Sequence, residues 1–124
     1  MAAQAGATKP ICASGALVDG GAGLRFNVCH AGQAASAFAV RHHGKVYAYL
    51  NRCAHRGVEL DWEPGQFFDR ERQLLVCATH GALYDPSSGA CIAGPCQGAA
   101  LVTVPVAEFE GQVCLAQEDE VNAR

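Results

Sequence analysis

Apolar and polar residues alternate with a period of two in several short stretches of the chain. Residues 24–28 follow this pattern, which is typical of a strand with one buried face. Residues 36–41 and 45–50 form two further runs on either side of His43-Gly44. Because glycine accepts a positive φ without steric cost, this spacing predicts a β-hairpin with its turn at Gly44.

The second half of the chain contains shorter strand signals. Residues 74–76 are apolar and lead directly into Cys77, and valines alternate with other residues over 102–106. Glu110-Gly111 then predicts a turn into a last strand around Val113 and Leu115. With 14 Gly and 5 Pro between these runs and few helix signals, the sequence predicts an all-β fold.

Composition indicates one packed domain. The chain has 124 residues, of which 50% are apolar and 17% charged, so we expect a single domain over residues 1–124. A net charge of −3 is unsuited to a nucleic-acid binder, which needs a basic stripe. The sequence shows no secretory-signal pattern and no apolar run of about 20 residues, so we expect a cytoplasmic protein outside the membrane.

Two short motifs carry the chemistry of the chain. One is Cys53-Ala54-His55-Arg56-Gly57 and the other is Cys77-Ala78-Thr79-His80-Gly81. Each offers one thiolate sulfur and one imidazole nitrogen, and the 21 residues between His55 and Cys77 are enough for the two loops to face each other. We therefore predict that both motifs converge on one metal site.

The paired motifs resemble those of the Rieske ferredoxins. The resemblance extends to residues 50–52 before the first motif, to Gly81-Ala82-Leu83-Tyr84-Asp85 and Gly89 after the second, and to Gly94-Pro95. It implies one Rieske-type [2Fe-2S] cluster per chain, with Cys53 and Cys77 on one iron and His55 and His80 on the other. Around these ligands it implies supporting roles for Gly57, Gly81, Tyr84 and Pro95.

The same resemblance implies an architecture. It is an antiparallel β-sandwich with an inserted cluster-binding subdomain. We place the subdomain at about residues 49–96 and the base sandwich at 10–48 and 97–117. The aromatic residues of segment 60–72 are expected to cover apolar surface.

High-potential Rieske proteins carry a disulfide between the cluster loops and a serine hydroxyl near the cluster. Here Val58 and Thr79 stand at the disulfide positions and Ala82 at the serine position. A third feature of those proteins, a tyrosine near the cluster, is retained as Tyr84. We therefore predict a midpoint potential in the lower half of the range of about −150 to +300 mV.

The resemblance also implies a function. A Rieske ferredoxin is a one-electron carrier, expected to take electrons from an NAD(P)H-dependent flavoprotein reductase and to pass them to a terminal oxygenase. The alternative is a small Rieske subunit of a nitrite reductase or another multicomponent oxidoreductase. In either case the chain is an electron-transfer component rather than an enzyme alone.

Two other interpretations of the motifs stay open at this stage. Tetrahedral zinc accepts two thiolates and two imidazoles, although zinc fingers usually pair Cys with Cys and His with His. Thiol catalysis by one Cys-His pair would leave the second pair unexplained. Arg52 and Arg56 flank the first motif and either steer an acidic partner or simply solvate the loop or pair with Glu59 and Asp61.

The remaining cysteines and histidines receive simpler interpretations. Cys29 and Cys114 lie in apolar, strand-like runs, and these two residues and Cys12 are expected to be small buried hydrophobes. Whether Cys91 and Cys96 pair across the Gly94-Pro95 turn is left open. Surface positions are expected for His30, His42 and His43. Glu118-Asp119-Glu120 is expected to begin a short, frayed acidic tail.

Overall fold

The computed structural model describes residues 9–54, 58–61, 63–79, 81–95, 98–116 and 120–121. Over these ranges the regular secondary structure consists of strands, apart from one short 3-10 turn at Ser14–Ala16, and irregular loops connect them. The strands are β1 (Lys9–Ala13), β2 (Leu24–His30), β3 (Gln33–His42), β4 (Lys45–Leu50), β5 (Leu75–Val76), β6 (Leu83–Tyr84), β7 (Cys91–Ala93), β8 (Val106–Phe109), β9 (Gln112–Leu115) and β10 (Glu120–Val121). The predicted all-β class is confirmed.

The strands form three small sheets. The central sheet has the order β10-β2-β3-β4, a second sheet has the order β1-β9-β8, and a third has the order β5-β6-β7. All pairs in these sheets are antiparallel except β10 with β2, which are parallel. Expecting a frayed tail through Glu120 was therefore wrong at that residue, because Glu120 pairs with Cys29 and Val121 with His30. Residues 118 and 119 lie outside the described part.

The long hairpin is confirmed, and one predicted strand is shifted. β3 and β4 pair antiparallel around His43 and Gly44, whose φ angles are 51° and 83°. The alternating valines of 102–106 do not form one strand: the N–H of Val104 donates to Ala48 O along β4, and β8 begins only at Val106. Pro105 lies between the two pairings and has no N–H to donate, so the chain changes partner there.

The pleat of the central sheet separates two packed cores. Along β3, Ala37 and Ala39 face one side, and Phe38 and Val40 face the other. We call the first side the base face and the second the cluster face. Base-face residues pack against β1, β8 and β9; the buried members of this core are Leu17, Val28, Ala37, Ala39, Ala48, Leu50, Val104, Val113 and Leu115.

Arg41 ties several segments together at one end of the base. Its Nε donates to Leu17 O at 2.8 Å and one terminal nitrogen to Ser14 O at 3.1 Å. The same guanidinium pairs with Glu108 of β8 at 2.6 Å. This pairing lowers the pKa of the Glu108 carboxyl, because a hydrogen-bonded cation stabilises its charged form.

Aromatic side chains fill the core on the cluster face. Phe38 stacks on Phe67 with ring centroids 4.0 Å apart. The hydroxyl of Tyr49 donates to Pro86 O at 2.7 Å, and the ring of Tyr49 lies so close to Gly89 that a Cβ there would come within 2.7 Å. The prediction that aromatics of segment 60–72 cover apolar surface is confirmed for Phe67, which is completely buried.

Expectations about four individual side chains need correction. His42 is not at the surface: it is 9% exposed, and its ring stacks on His43, with ring centroids 3.9 Å apart, and on Phe68, with ring centroids 6.0 Å apart. Its place on the cluster face, two residues after Val40, explains its burial. Cys29 is exposed rather than buried, and Cys12 and Cys114 are partly buried.

No helix in the described residues is long and apolar enough to span a membrane.

Candidate metal centre

The two cysteines of the motifs lie in the core of the cluster face. Cys53 comes three residues after the end of β4, and Cys77 follows directly after β5. Cys53 is 1% exposed and Cys77 is completely buried, and both belong to the same apolar cluster. The strands therefore place two sulfurs in one water-poor region.

Each cysteine begins a loop that closes on itself through backbone hydrogen bonds. The N–H of Cys53 donates to Val58 O at 2.6 Å. In the second loop, the N–H of Cys77 donates to Ala82 O at 2.9 Å, and the N–H of Gly81 donates to Cys77 O at 2.7 Å. Gly81 has a φ of 74°, a conformation that glycine adopts without the penalty of a side chain.

Tyr84 contacts the first loop with its hydroxyl group. The hydroxyl oxygen lies 3.2 Å from the sulfur of Cys53 and accepts a hydrogen bond from the N–H of Ala54 at 3.0 Å. Because this N–H occupies a lone pair of the oxygen, the phenolic proton is available to the sulfur once Cys53 is a thiolate. The buried tyrosine is thus suited to stabilise negative charge on that sulfur.

A third segment packs against the second loop. Gly94 has a φ of 102°, and a Cβ at this position would lie 2.8 Å from the Cα of Ala82. Only glycine allows so close an approach of two backbones. Pro95 follows at an exposed position, so the structure brings the predicted Gly94-Pro95 segment next to the loop that starts at Cys77.

A buried polar group anchors the first loop, and sequence reasoning missed its role. Asn51 donates from Nδ2 to Asp61 at 3.0 Å, and its Oδ1 accepts from the N–H of Leu60 at 2.9 Å. Arg25 of β2 pairs with Glu59 at 2.7 Å and lies 3.7 Å from Asp61. Arg25, and not Arg52, is therefore the partner of these two carboxylates.

Several predicted site residues lie outside the described part of the chain. These are His55, Arg56, Gly57, His80 and Cys96, so neither the imidazole ligands nor a Cys91–Cys96 pairing is placed. Within the described ranges no three His, Cys, Asp or Glu side chains form a group suited to a metal ion. Two buried sulfurs with a hydroxyl beside one of them nevertheless fit the thiolate half of an iron–sulfur site.

The all-β fold and the two buried cysteines are the features expected of an iron–sulfur electron-transfer domain. The sequence matches the family model of the Rieske [2Fe-2S] domain over residues 8–110. The chain therefore belongs to the Rieske [2Fe-2S] domain family. No curated protein matches the sequence.

Solved structures of Rieske ferredoxins share this fold. The ferredoxin of carbazole 1,9a-dioxygenase from Nocardioides aromaticivorans IC177 is 25% identical, with a TM-score of 0.68 over 90% of this chain and 100% of that one. The Sphingomonas yanoikuyae B1 ferredoxin is 24% identical, with a TM-score of 0.66 over 90% of this chain and 99% of that one. A chain in a complex of reduced oxygenase and oxidized ferredoxin of carbazole 1,9a-dioxygenase is 22% identical, with a TM-score of 0.67 over 91% and 95%.

These findings confirm the predicted Rieske fold, the [2Fe-2S] cofactor and the electron-carrier class. The zinc interpretation loses its basis, because the family's cofactor is a two-iron cluster. Thiol catalysis is also disfavoured, since both cysteines of the motifs lie buried in one core.

Proposed function

We propose that this chain is a Rieske-type ferredoxin that carries single electrons from an NAD(P)H-dependent flavoprotein reductase to a terminal oxygenase in the cytoplasm. We assign the cluster ligands to Cys53, His55, Cys77 and His80. The oxygenase partner is supported by the similarity to the carbazole 1,9a-dioxygenase ferredoxin, whose whole length this chain covers. A related ferredoxin fold occurs in a complex with its oxygenase.

The observation that carries the proposal is the placement of Cys53 and Cys77 in one buried apolar core, with the Tyr84 hydroxyl beside Cys53. When bound, the [2Fe-2S] cluster supplies reversible one-electron chemistry at a potential above that of all-cysteine clusters. Two thiolates and two neutral imidazoles leave the oxidised core with no net charge, whereas four thiolates would give it two negative charges. An electron is added more easily to the neutral core.

The residues of the chain hold and tune this centre without making or breaking a substrate bond. The sulfurs of Cys53 and Cys77 are shielded from water, so little solvent reorganises around them when the charge changes. With Cys53 as a thiolate ligand, the Tyr84 hydroxyl, 3.2 Å from the sulfur, would donate a hydrogen bond to it, which favours the more negative, reduced form. The described geometry therefore supports rapid and reversible electron uptake.

An anaerobic titration of the purified protein tests the carrier function. We expect iron and acid-labile sulfide, uptake of one electron per chain, and full reoxidation by a soluble acceptor such as cytochrome c. The Cys77→Ala variant serves as the control, because loss of one thiolate ligand should abolish cluster assembly. Wild-type protein without iron and sulfide after reconstitution would contradict the proposal.

The partner class needs a separate experiment. An oxygenase component of a carbazole 1,9a-dioxygenase system, supplied with NADH and its flavoprotein reductase, should form product only when this chain is added. The competing possibility is a nitrite-reductase subunit, for which the chain would instead restore nitrite reduction by a sirohaem subunit. Support of nitrite reduction without support of the oxygenase would overturn the oxygenase assignment.

Arg52 is exposed next to the first motif and is a candidate for steering the partner. Glu59 and Asp61 already interact with Arg25, which favours the steering interpretation over pairing. Arg52→Glu should slow electron transfer to the partner at low salt, and the difference should shrink as salt screens the charges. The same charge reversal at exposed Arg70 is the matched control; equal effects at both positions would exclude specific steering.

A further inference from the structure

A buried hydrogen-bond relay connects the two cysteine loops, and no motif in the sequence marks it. Its first part spans the loop that contains Cys53. Asn51, just before that loop, accepts from the N–H of Leu60 at 2.9 Å and donates to Asp61 at 3.0 Å. One buried amide side chain thus joins the beginning of the loop to its end.

Asp61 closes the relay on the other side. Its second carboxylate oxygen accepts from the N–H of Gly65 at 2.9 Å and lies 3.7 Å from Nε of Arg25. The side chain of Asp61 is completely buried. A buried carboxylate is costly unless it is hydrogen-bonded and paired, and Asp61 meets both conditions.

The relay continues into the second loop through the backbone of Leu60. Leu60 O accepts a hydrogen bond at 3.0 Å from the N–H of Ala78, the residue directly after Cys77. Leu60 is also completely buried. Leu60 is therefore bound to Asn51 through its N–H and to the second loop through its carbonyl group.

We propose that Asn51 and Asp61 are positioning residues of the cluster site, which keep the two Cys-His loops at a fixed separation. The proposal rests on the ligand assignment made above. Neither residue binds the cluster; they act through Leu60 and Ala78. The relay is a non-covalent connection between the loops, and its strength depends on every donor and acceptor being satisfied.

The substitution Asp61→Asn tests this role with little change of shape. An amide has only one acceptor oxygen, so either Asn51 or the Gly65 N–H loses its partner in the buried site. We expect a chelator to bleach the visible absorption of the holoprotein about tenfold faster, within the usual range for supporting residues of metal sites. The line shape of the reduced EPR signal should also change, because the two loops are held less rigidly.

Asp69→Asn is the matched control. Asp69 likewise accepts backbone hydrogen bonds, from Gln73 at 3.0 Å and Leu74 at 3.2 Å, but its bonds lie within a single turn. This variant should keep the cluster lifetime within about twofold of wild type and should leave the EPR signal unchanged. Equal bleaching rates in Asp61→Asn and wild type, or equal EPR changes in both variants, would overturn the proposal.

Hydrogen exchange of the wild-type holoprotein provides a second test should Asp61→Asn not fold. The amides of Leu60 and Ala78 should exchange slowly and with the same opening free energy, because one relay protects both. Independent exchange of these two amides would contradict the proposal. If the wild-type chain holds no iron and sulfide, the ligand assignment fails, whereas the exchange measurement on the purified chain still decides whether the loops are coupled.

Discussion

The two faces of the central sheet are held by different kinds of structure. On the base face, small aliphatic residues such as Ala37 and Ala39 pack against β1, β8 and β9, which are strands of four or five residues. On the cluster face, aromatic residues such as Phe38 and Tyr49 pack against β5, β6 and β7, which have only two or three residues.

This difference shows where regular secondary structure is replaced by other contacts. The cluster face relies on side-chain hydrogen bonds to the backbone, on close glycine contacts and on the two buried cysteines. Such a region gains less from strand pairing and more from its bound metal. We therefore expect the two faces to respond differently when the site is disturbed.

Loss of the cluster should have the largest effect. In Cys53→Ala or Cys77→Ala, assembly should fail, and the amides of residues 51–95 should lose most of their hydrogen-exchange protection, because ligation supplies part of the folding free energy. The β2–β3–β4 strands and the base should retain theirs. Uniform loss of protection across the chain, or none, would remove the distinction between the faces.

Truncation of the aromatic core should come next. Phe67→Ala removes a ring stacked on Phe38 and should lower the free energy of unfolding by about 3–5 kcal/mol, measured by urea denaturation. Hydrogen exchange should rise mainly on the cluster face. Leu115→Ala, in the base core, is the counterpart and should raise exchange mainly in β1, β8 and β9. The distinction would fail if both variants affected the same amides.

Gly94→Ala should have a smaller but clear effect. The new methyl group would lie 2.8 Å from the Cα of Ala82 on a backbone with positive φ, so we expect the free energy of unfolding to fall by more than about 1 kcal/mol. Gly98→Ala has nearly the same φ, 100°, with no atom within 4 Å of the added methyl. The difference between the two urea midpoints isolates the loop contact from backbone strain; equal midpoints would show that the contact is unimportant.

Tyr84→Phe should leave the fold intact and lower the midpoint potential. The lost hydroxyl donor stabilises the reduced form more than the oxidised form, and a difference on the order of 1 kcal/mol corresponds to roughly 40 mV. A redox titration measures the shift. Tyr47→Phe removes a tyrosine hydroxyl from β4 instead of β6; it is the control and should leave the potential unchanged. A rise in the potential of Tyr84→Phe would contradict the assigned hydrogen bond.

The smallest effect is expected from the ion pair at the base. The pKa of Glu108 is lowered in the folded state by Arg41, so its stabilising contribution is full above the unfolded pKa and is lost as pH falls through the folded pKa. Glu108→Gln should therefore lower the free energy of unfolding at neutral pH by less than about 1 kcal/mol, measured by urea denaturation. The difference in this free energy between the variant and wild type should vanish in acid. A constant difference at all pH values would show that the charge of Glu108 is irrelevant.

Local patterns predicted the base more completely than the site. Alternation and the His43-Gly44 turn correctly indicated β2, β3 and β4, because one face of each strand is buried and the register follows from that burial. The change of partner at Pro105 was not predicted, since alternation continues through it and only the tertiary pairing of Val104 with β4 reveals the break. The exposure of Cys29 and the β10 pairing likewise depend on which strand becomes an edge.

The cysteines and the tyrosine of the site were predicted from the motifs, but the residues that hold the loops in place were not. Cys53, Cys77 and Tyr84 were identified because their spacing carries the family resemblance, and the structure places all three in one core. Arg25 lies more than thirty residues from Glu59 and shares no local pattern with it. Contacts of that kind form only when β2 is paired with β3, so they could not be derived from the sequence alone. The domain boundaries near residues 49 and 96 stay a prediction.

The most direct test of the account is magnetic resonance on the reduced holoprotein labelled with ¹⁵N-histidine. If Cys53, His55, Cys77 and His80 hold a [2Fe-2S] cluster, the reduced protein gives the EPR signal of a mixed-valence two-iron centre with hyperfine couplings from two histidine nitrogens. Those couplings disappear selectively when either motif histidine is replaced. A two-iron signal without histidine coupling, or no iron at all, would contradict the central claim.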